Sequence, residues 1–430
     1  MHTLTAALAL GLVSTAALAV PAHAADPAPT NVQVAWADAA HTTVRVTWDE
    51  VGVVPNRVYA QYPDGPGAYY APPADGTNQM DIASDALGGQ PVLRMGVIVV
   101  DSAGQATSPA GLSVLFDTLR QPKPIIDSIA SVPPTKYAVK WHASAPTPDP
   151  NPGDPLDLPA AAPQYQVWAN PRDFNQYEPR TPWSTATQAT FERPTAPPFK
   201  LSVAVNSEWG LNYAQTHRVD YEKIPSLTIP TTATYGQLTV IKGRIERWMQ
   251  ACDPGPCFEQ PWTEAPRTVI LQARANATSA WYVVGSTRST STGNFTISPT
   301  AWGTRQYRIV VPDVYTGEGL GVGVTSGAVT TVARPKVTAS FNDSTAYYGQ
   351  KVTARVGLTP KANVRTTLQR WNGTAWVNVK WVYTSSGAGT YTFTAVQRGR
   401  VSYRFVVPAF TWSGWPLASQ VSPTFVLTTS

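Results

Sequence analysis

The sequence predicts an all-β chain of four tandem β-sandwiches behind a cleavable leader. Three observations carry this. First, the C-terminal half repeats one motif string in the same order. Tyr235-Gly236-Gln237 returns as Tyr348-Gly349-Gln350, and Leu271-Gln272 with Trp281 returns as Leu368-Gln369 with Trp376. Gly293-Asn294-Phe295 matches Gly389-Thr390-Tyr391, and Tyr307-Arg308-Ile309-Val310-Val311-Pro312 matches Tyr403-Arg404-Phe405-Val406-Val407-Pro408. The unit is about a hundred residues long, the size of a free-standing domain rather than of a solenoid repeat. Second, only 14 % of residues are charged, while 40 are Pro and 30 are Gly, beside many Thr, Val, Tyr and Trp. That is the composition of short strands and tight turns, and sustained helical periodicity is almost absent. Third, Pro-rich breaks near Asp117–Pro124, Lys223–Ser226 and Ala333–Lys336 cut the chain into similar lengths.

In chain order, residues 1–24 read as a signal peptide. Leu4 to Val20 is an uncharged run of apolar and small residues, and Pro21-Ala22-His23-Ala24 offers a small-x-small site with cleavage after Ala24. The positively charged start is weak, because neither Lys nor Arg precedes the run. A membrane anchor is the competing reading, set against by the run's shortness and its proline. No later stretch is apolar enough to span a bilayer, and no Cys near the cleavage site invites a lipid.

Residues 25–118 and 119–224 share one pattern. Each has an early strand ending in Trp, Val44-Arg45-Val46-Thr47-Trp48 and Tyr137-Ala138-Val139-Lys140-Trp141. Each has a Tyr-containing strand after it, around Tyr59 and Tyr165. Each ends in an apolar strand and a Gly turn, Leu93–Val100 before Gly104 and Lys200–Asn206 before Gly210. The second carries a Pro- and Asp-rich insertion, Ala145–Pro163, expected to be an exposed loop.

Residues 225–333 and 334–430 are the two copies of the repeat. In the last, Val337–Phe341, Lys351–Leu358, Val364–Arg370, Trp376–Tyr383, Thr390–Val396, Val401–Val407 and Val421–Leu427 alternate apolar and polar residues as half-buried strands do. Asn372-Gly373 marks a hairpin. The third unit has the same plan with an insertion between Arg244 and Arg267, since Gln237 to Leu271 spans 34 positions against 18 from Gln350 to Leu368. Both cysteines, Cys252 and Cys257, fall in that insertion. In an exported chain they suit a local disulfide at the tip or edge of the unit, and a metal site is the alternative.

These features resemble known families. The first two units look like fibronectin type III domains, with the early-strand Trp and the late V-x-V-x-(A/N)-x-x-G strand. The third and fourth resemble the bacterial immunoglobulin-like domains of secreted actinobacterial proteins, with L-Q-x-x-x-x-x-W and Y-R-x-x-V-P strands. The resemblance implies four immunoglobulin/fibronectin type III-like sandwiches. It implies no chemistry.

The residues themselves argue against catalysis. The mature chain has three histidines, His41, His142 and His217, none in metal-ligand spacing. There is no G-x-S-x-G elbow and no phosphate loop. Glu246, Glu259 and Glu264 cluster in the insertion as surface-loop acids. Asp64, Asp75 and Asp101 lie in turn sequences rather than in a calcium loop. The expectation is therefore no catalytic residue, no cofactor and no metal. The sequons at Asn276, Asn294, Asn342 and Asn372 read as chance matches.

Charge is the one feature beyond fold. Residues 25–118 hold three bases against ten acids, residues 119–224 ten against ten, and residues 225–333 eight against six. Residues 334–430 hold eleven bases against Asp343 alone. The last unit is also rich in aromatics, and a basic aromatic surface suits anionic polymers. The sequence thus predicts a secreted, non-enzymatic binding or scaffold protein, extracellular or cell-wall associated. Its partner would be an anionic cell-wall polymer, a polysaccharide or another extracellular protein, not nucleic acid. The candidate contacts are Arg398, Arg400, Arg404, Trp412 and Trp415. The alternative is a carbohydrate-binding protein using exposed Trp platforms, at Trp248 and Trp262 or at Trp412 and Trp415. The competing view is that the bases only decorate outward strand positions and most of the Trp are core.

Overall fold

The computed structural model describes residues 25–72, 76–159, 161–170, 177–251, 258–262 and 266–430. The signal-peptide reading and the Cys252–Cys257 pairing fall outside the described residues, as do Asp75 and Glu264.

The chain is all-β, and among the described residues the one α-helix is the four-residue turn Ser84–Leu87. Two compact units divide it: one holds the described residues up to Lys123 together with 144–163 and 205–212, and the other holds the rest.

In the first unit a three-stranded sheet (Thr30–Trp36, Thr43–Asp49, Gln79–Ala83) and a four-stranded sheet built around Asn56–Tyr62 and Arg94–Val99 enclose one core. Val32, Val44, Val46 and Trp48 from one sheet meet Val58, Ala60, Met95 and Val97 from the other. Period-2 alternation is the cause: Thr43–Asp49 buries every second residue, with Trp48 last and 4 % exposed.

Among its described residues the insertion 145–163 is a strand-free and mostly exposed loop, as expected, but one residue anchors it. Leu156 is 2 % exposed within the first unit's core, and its carbonyl accepts the Trp36 indole N–H at 3.0 Å. Asn151 Nδ2 donates to the Leu115 carbonyl at 2.6 Å. Pro and Asp dominate the composition, so a single buried Leu among them leaves little periodic signal.

The second unit begins with the sheet Ile125–Val132, Lys136–His142 and Gln188–Glu192. Its inner face supplies Tyr137, Trp141 and Phe191. These rings meet Phe199 and Tyr165 of the opposing sheet, with Tyr137 to Phe199 at 5.2 Å and Trp141 to Tyr165 at 5.9 Å. The opposing sheet then continues without a break. The strand His217–Thr228 pairs with Phe199–Asn206 through Phe199–Leu201, and with Ile241–Ala251 from Tyr221 onward. The sequence break near Lys223–Ser226 is therefore a register shift inside one strand, with Pro225 at the irregularity.

The two repeats share one topology. Each larger sheet runs from a short strand paired in parallel, through three strands, to a hairpin edge. The order in the first copy is Thr232–Thr234, Val329–Arg334, Arg305–Val311, Thr268–Arg274, Tyr282–Arg288. In the second it is Thr345–Ala346, Phe425–Thr429, Gly399–Val407, Arg365–Trp371, Trp376–Tyr383. Six of the seven strands expected in the last unit overlap an observed one within two residues at each end, while the seventh is split into Gln420–Val421 and Phe425–Thr429.

Ladder geometry corrects one motif match. Gly236 N–H bonds Ala301 O and Gly349 N–H bonds Ala395 O, so these positions correspond. Following the register, Ile241↔Ile297 then corresponds to Ala354↔Tyr391, and Gly243↔Phe295 to Val356↔Gly389. Gly293 is not the counterpart of Gly389; the local string G-x-aromatic matched two residues out of register.

Candidate functional site

The outward face of the last larger sheet is the most distinctive surface of the second unit. It is set by alternation. In Gly399–Val407, Val401, Tyr403, Phe405 and Val407 are buried, and Arg400, Ser402, Arg404 and Val406 point the other way. On the neighbouring strand Thr366 and Leu368 are buried while Arg365 and Gln369 face out with that row. Arg404 Nε donates to Gln369 Oε1 at 2.8 Å, and its guanidinium lies 4.3 Å from the Trp376 ring centre. Arg365 stacks 4.7 Å from Trp381.

The same group occurs in the preceding repeat. Arg308 Nε donates to Gln272 Oε1 at 2.8 Å and lies 4.2 Å from Trp281, which Arg274 approaches at 4.5 Å. The repeated Leu-Gln, Trp and Tyr-Arg letters thus encode one object: buried Leu and Tyr anchor the strands, and outward Gln, Arg and Trp lock together. Both copies also place a β-bulge at the Leu-Gln step.

The five candidate contact residues do not form one patch. Arg400 and Arg404 share the outward face of one strand. Arg398 precedes that strand and lies 5.4 Å from the exposed Tyr348 ring. Trp412 and Trp415 pair across a hairpin whose turn, Ser413-Gly414, takes positive φ at both residues. The Trp415 ring is half-buried against the preceding repeat: Arg305 lies 3.8 Å above it, and its Cβ would sit 2.4 Å from a Cβ placed on Gly303. Backbone bonds fasten the hairpin there, Thr304 N–H to Pro416 O and Ala418 N–H to Ala333 O, both at 2.9 Å. Sequence reasoning read this ring as a free platform because nothing local shows what covers it.

No flat Trp pair is found at the other candidate positions. Trp371 and Trp376 meet edge to face at 60°. Trp248 is covered by Lys223 Nζ at 3.6 Å, and Trp262 is 52 % exposed.

A cleft of about 680 Å³ is lined by Tyr137, Arg193, Tyr221, Glu222, Glu259 and Asp313, among others. Its carboxylates are engaged. Glu222 pairs with Arg267 at 3.1 Å, Glu259 accepts the Tyr221 hydroxyl at 2.8 Å, and Asp313 accepts the Gly323 N–H at 2.7 Å and the Ser131 hydroxyl. Burial pushes the Tyr137 hydroxyl up to about 12, so it stays protonated. Deeper still, Asp220, 1 % exposed, pairs with Arg247 at 2.9 Å.

The histidines serve structure. His142 Nδ1 lies 2.7 Å from Asp127, and His217 stacks on Tyr315. Asp101 closes its own turn by accepting the Ala103 and Gln105 N–H groups. Sequence reading missed one acidic group in the first unit, because its members are far apart in the chain. Asp117, Asp154 and Asp157 bring carboxylate oxygens within 4.8 Å of one another. Asp154 accepts the Asp117 and Leu156 N–H groups, and Asp157 accepts those of Gly153 and Asp154. Burial first, then the neighbouring Asp149 and Asp154 charges, raise the Asp117 carboxyl to about 6.

No family model matches the chain, and no curated protein matches it. Two solved structures align with it along most of its length. One is described as "Ca2+-stabilized adhesin helps an Antarctic bacterium reach out and bind ice": 13% identity, TM-score 0.22, covering 95% of this chain and 100% of that one. The other is an alpha-2-macroglobulin from Salmonella reacted with methylamine: 10% identity, TM-score 0.21, covering 93% of this chain and 31% of that one. Similarity at this level leaves function to be argued from the chain's own residues.

Proposed function

We propose that the chain is a non-enzymatic extracellular binding protein of four sandwiches, related to fibronectin type III-like and bacterial immunoglobulin-like domains, that holds an anionic polymer. One observation carries the reading: residues 334–430 hold eleven bases against Asp343, and Arg365, Arg400 and Arg404 share the outward face of one sheet. Asp343 itself is spent on a turn, accepting the Thr345 N–H and hydroxyl. The engaged acids of the large cleft support the non-enzymatic side, since glycoside hydrolysis needs two carboxyl groups free to meet a substrate.

The test is retention of the full chain on an immobilised anionic polymer across a salt series. Attraction between exposed charges is screened over about 8 Å at physiological salt. Retention should fall as salt rises, and it should weaken when Lys351, Arg355, Arg365, Arg398 and Arg400 are all changed to Gln. Salt-independent retention, unchanged in that variant, would overturn the proposal.

A further inference from the structure

One arginine in each repeat is held in the same constrained way with its terminal amino groups unspent; Arg274, which also donates Nε to a glutamine and stacks on Trp281, gives Nη1 to the Ala277 carbonyl. Arg308 and Arg404 are both half-buried. Each spends its Nε–H on a glutamine carbonyl at 2.8 Å, and each lies within 4.3 Å of an indole ring centre. A guanidinium carries five N–H donors in one plane. Here the inner edge is satisfied and the plane is supported, and neither group has another acceptor among the described residues. What remains is the terminal pair of amino groups, already oriented. Arginine normally loses rotamer freedom when it takes an anion, and this arrangement has met that cost during folding. The matching acceptor is a planar group with two oxygens.

The last repeat adds a ring to the same face. Thr367 pairs with Trp381 on one side and Val406 on the other, and Gln369 pairs with Asn378 and Arg404 in the adjoining row. Trp381 is 59 % exposed although Arg365 stacks on it. A uronic-acid sugar offers both features at once, a carboxylate for the fork and a flat C–H face for the ring. A polyol phosphate offers the charge without the flat face.

We propose that Arg308 and Arg404 are paired recognition residues for the carboxylates of an acidic polysaccharide, one per repeat. The proposal rests on the polymer-binding reading above and narrows it. Two forks on one chain let a single polymer bind twice, so avidity exceeds either contact. It also carries a consequence that net charge does not: the third unit, nearly balanced in charge, should contribute as much as the strongly basic fourth.

The experiment measures binding of the full chain to polygalacturonate and, separately, to poly(glycerol phosphate). Arg308→Lys and Arg404→Lys keep the charge and remove the fork. Each should weaken polygalacturonate binding about tenfold, the size expected for one charge-assisted hydrogen bond. Arg355→Lys, on an exposed position of the other sheet, should change it less than about twofold. Trp381→Ala should weaken binding to polygalacturonate and leave poly(glycerol phosphate) unaffected. Wild-type binding that is salt-sensitive but equally indifferent to all three Arg→Lys changes would overturn the fork while leaving the general reading intact. Tighter binding to poly(glycerol phosphate), with the same Arg→Lys sensitivity, would overturn the carboxylate assignment. No wild-type binding to either polymer would overturn both. Thermal melting of each variant separates lost recognition from lost folding.

Discussion

The two repeats, residues 225–333 and 334–430, are two solutions built on one plan, and they differ most where each meets its neighbour. The first strand of the second repeat, Lys336–Phe341, starts fresh after Pro335. Its counterpart in the first repeat is the far half of His217–Thr228, a strand whose near half is paired to the preceding sheet. That strand accordingly carries buried ion pairs to the first repeat, Asp220 with Arg247 and Glu222 with Arg267. Residues 334–430 take part in no ion pair among the described residues, and an aromatic hairpin does the joining instead. A duplicated fold thus fixes the core and leaves the ends free to diverge.

The largest test of this contrast is Arg247→Ala. Asp220 would lose its nearer cation and keep Arg218 at 3.9 Å, so the cost should lie near the low end, about 3 kcal/mol, of that for removing one member of a buried pair. Calorimetry should show the transition of the first repeat falling well below that of the second. If the two stay together, the buried pairs do not distinguish the junctions.

Core packing gives a smaller effect. Gly243 faces Phe295 in the third unit, and the same positions in the fourth are Val356 and Gly389, so the large and small partners have changed sides. A Cβ on Gly243 would sit 2.5 Å from the Phe295 ring and 2.8 Å from the Ser226 carbonyl. Gly243→Val should destabilise by about 2 kcal/mol, in the range for overpacking. Phe295→Gly alone should cost about 3–5 kcal/mol, and the double variant should cost less than the sum of the two single changes; strict additivity would show that the pair is not complementary.

The smallest effect uses the fourth unit as an internal pH reference. The Asp117 carboxyl in the first unit is raised to about 6 in the fold, above the ordinary 3.8. A raised acid favours the protonated folded state, so this contribution is full below pH 4 and is lost as pH rises through about 6. Partial solvent screening limits it to about 1 kcal/mol. Asp117→Asn should raise the melting temperature of the first unit at pH 7 and leave it unchanged near pH 4. The fourth unit, with one acid in a surface turn, should not respond. An equal gain at both pH values would show that the carboxyl's charge is not the cause.

Much of this was legible in the chain. Alternation placed the strands because a half-buried strand must bury every second side chain, as Val401, Tyr403, Phe405 and Val407 do. Trp48 and Trp141 end the early strands that the sequence pattern shows, and both are 4 % exposed. The recurring Leu-Gln, Trp and Tyr-Arg letters marked residues that touch, although the sequence did not reveal the contact. Arg398 and Arg400 illustrate the limit: both are candidate contacts two positions apart, but the strand begins at Gly399, and alternation has no meaning before it.

By itself, then, the sequence determined the all-β class, the duplication, the charge gradient and the strands of the last repeat, because each depends on near neighbours or on composition. Tertiary structure alone decided what the long-range partners are. It put Leu156 in the first core, ran one strand through Pro225, seated Trp415 against Arg305 and turned two arginines into fixed forks. Those outcomes depend on pairs separated by tens of residues or more, and the energy that selects them exists only once the surfaces meet.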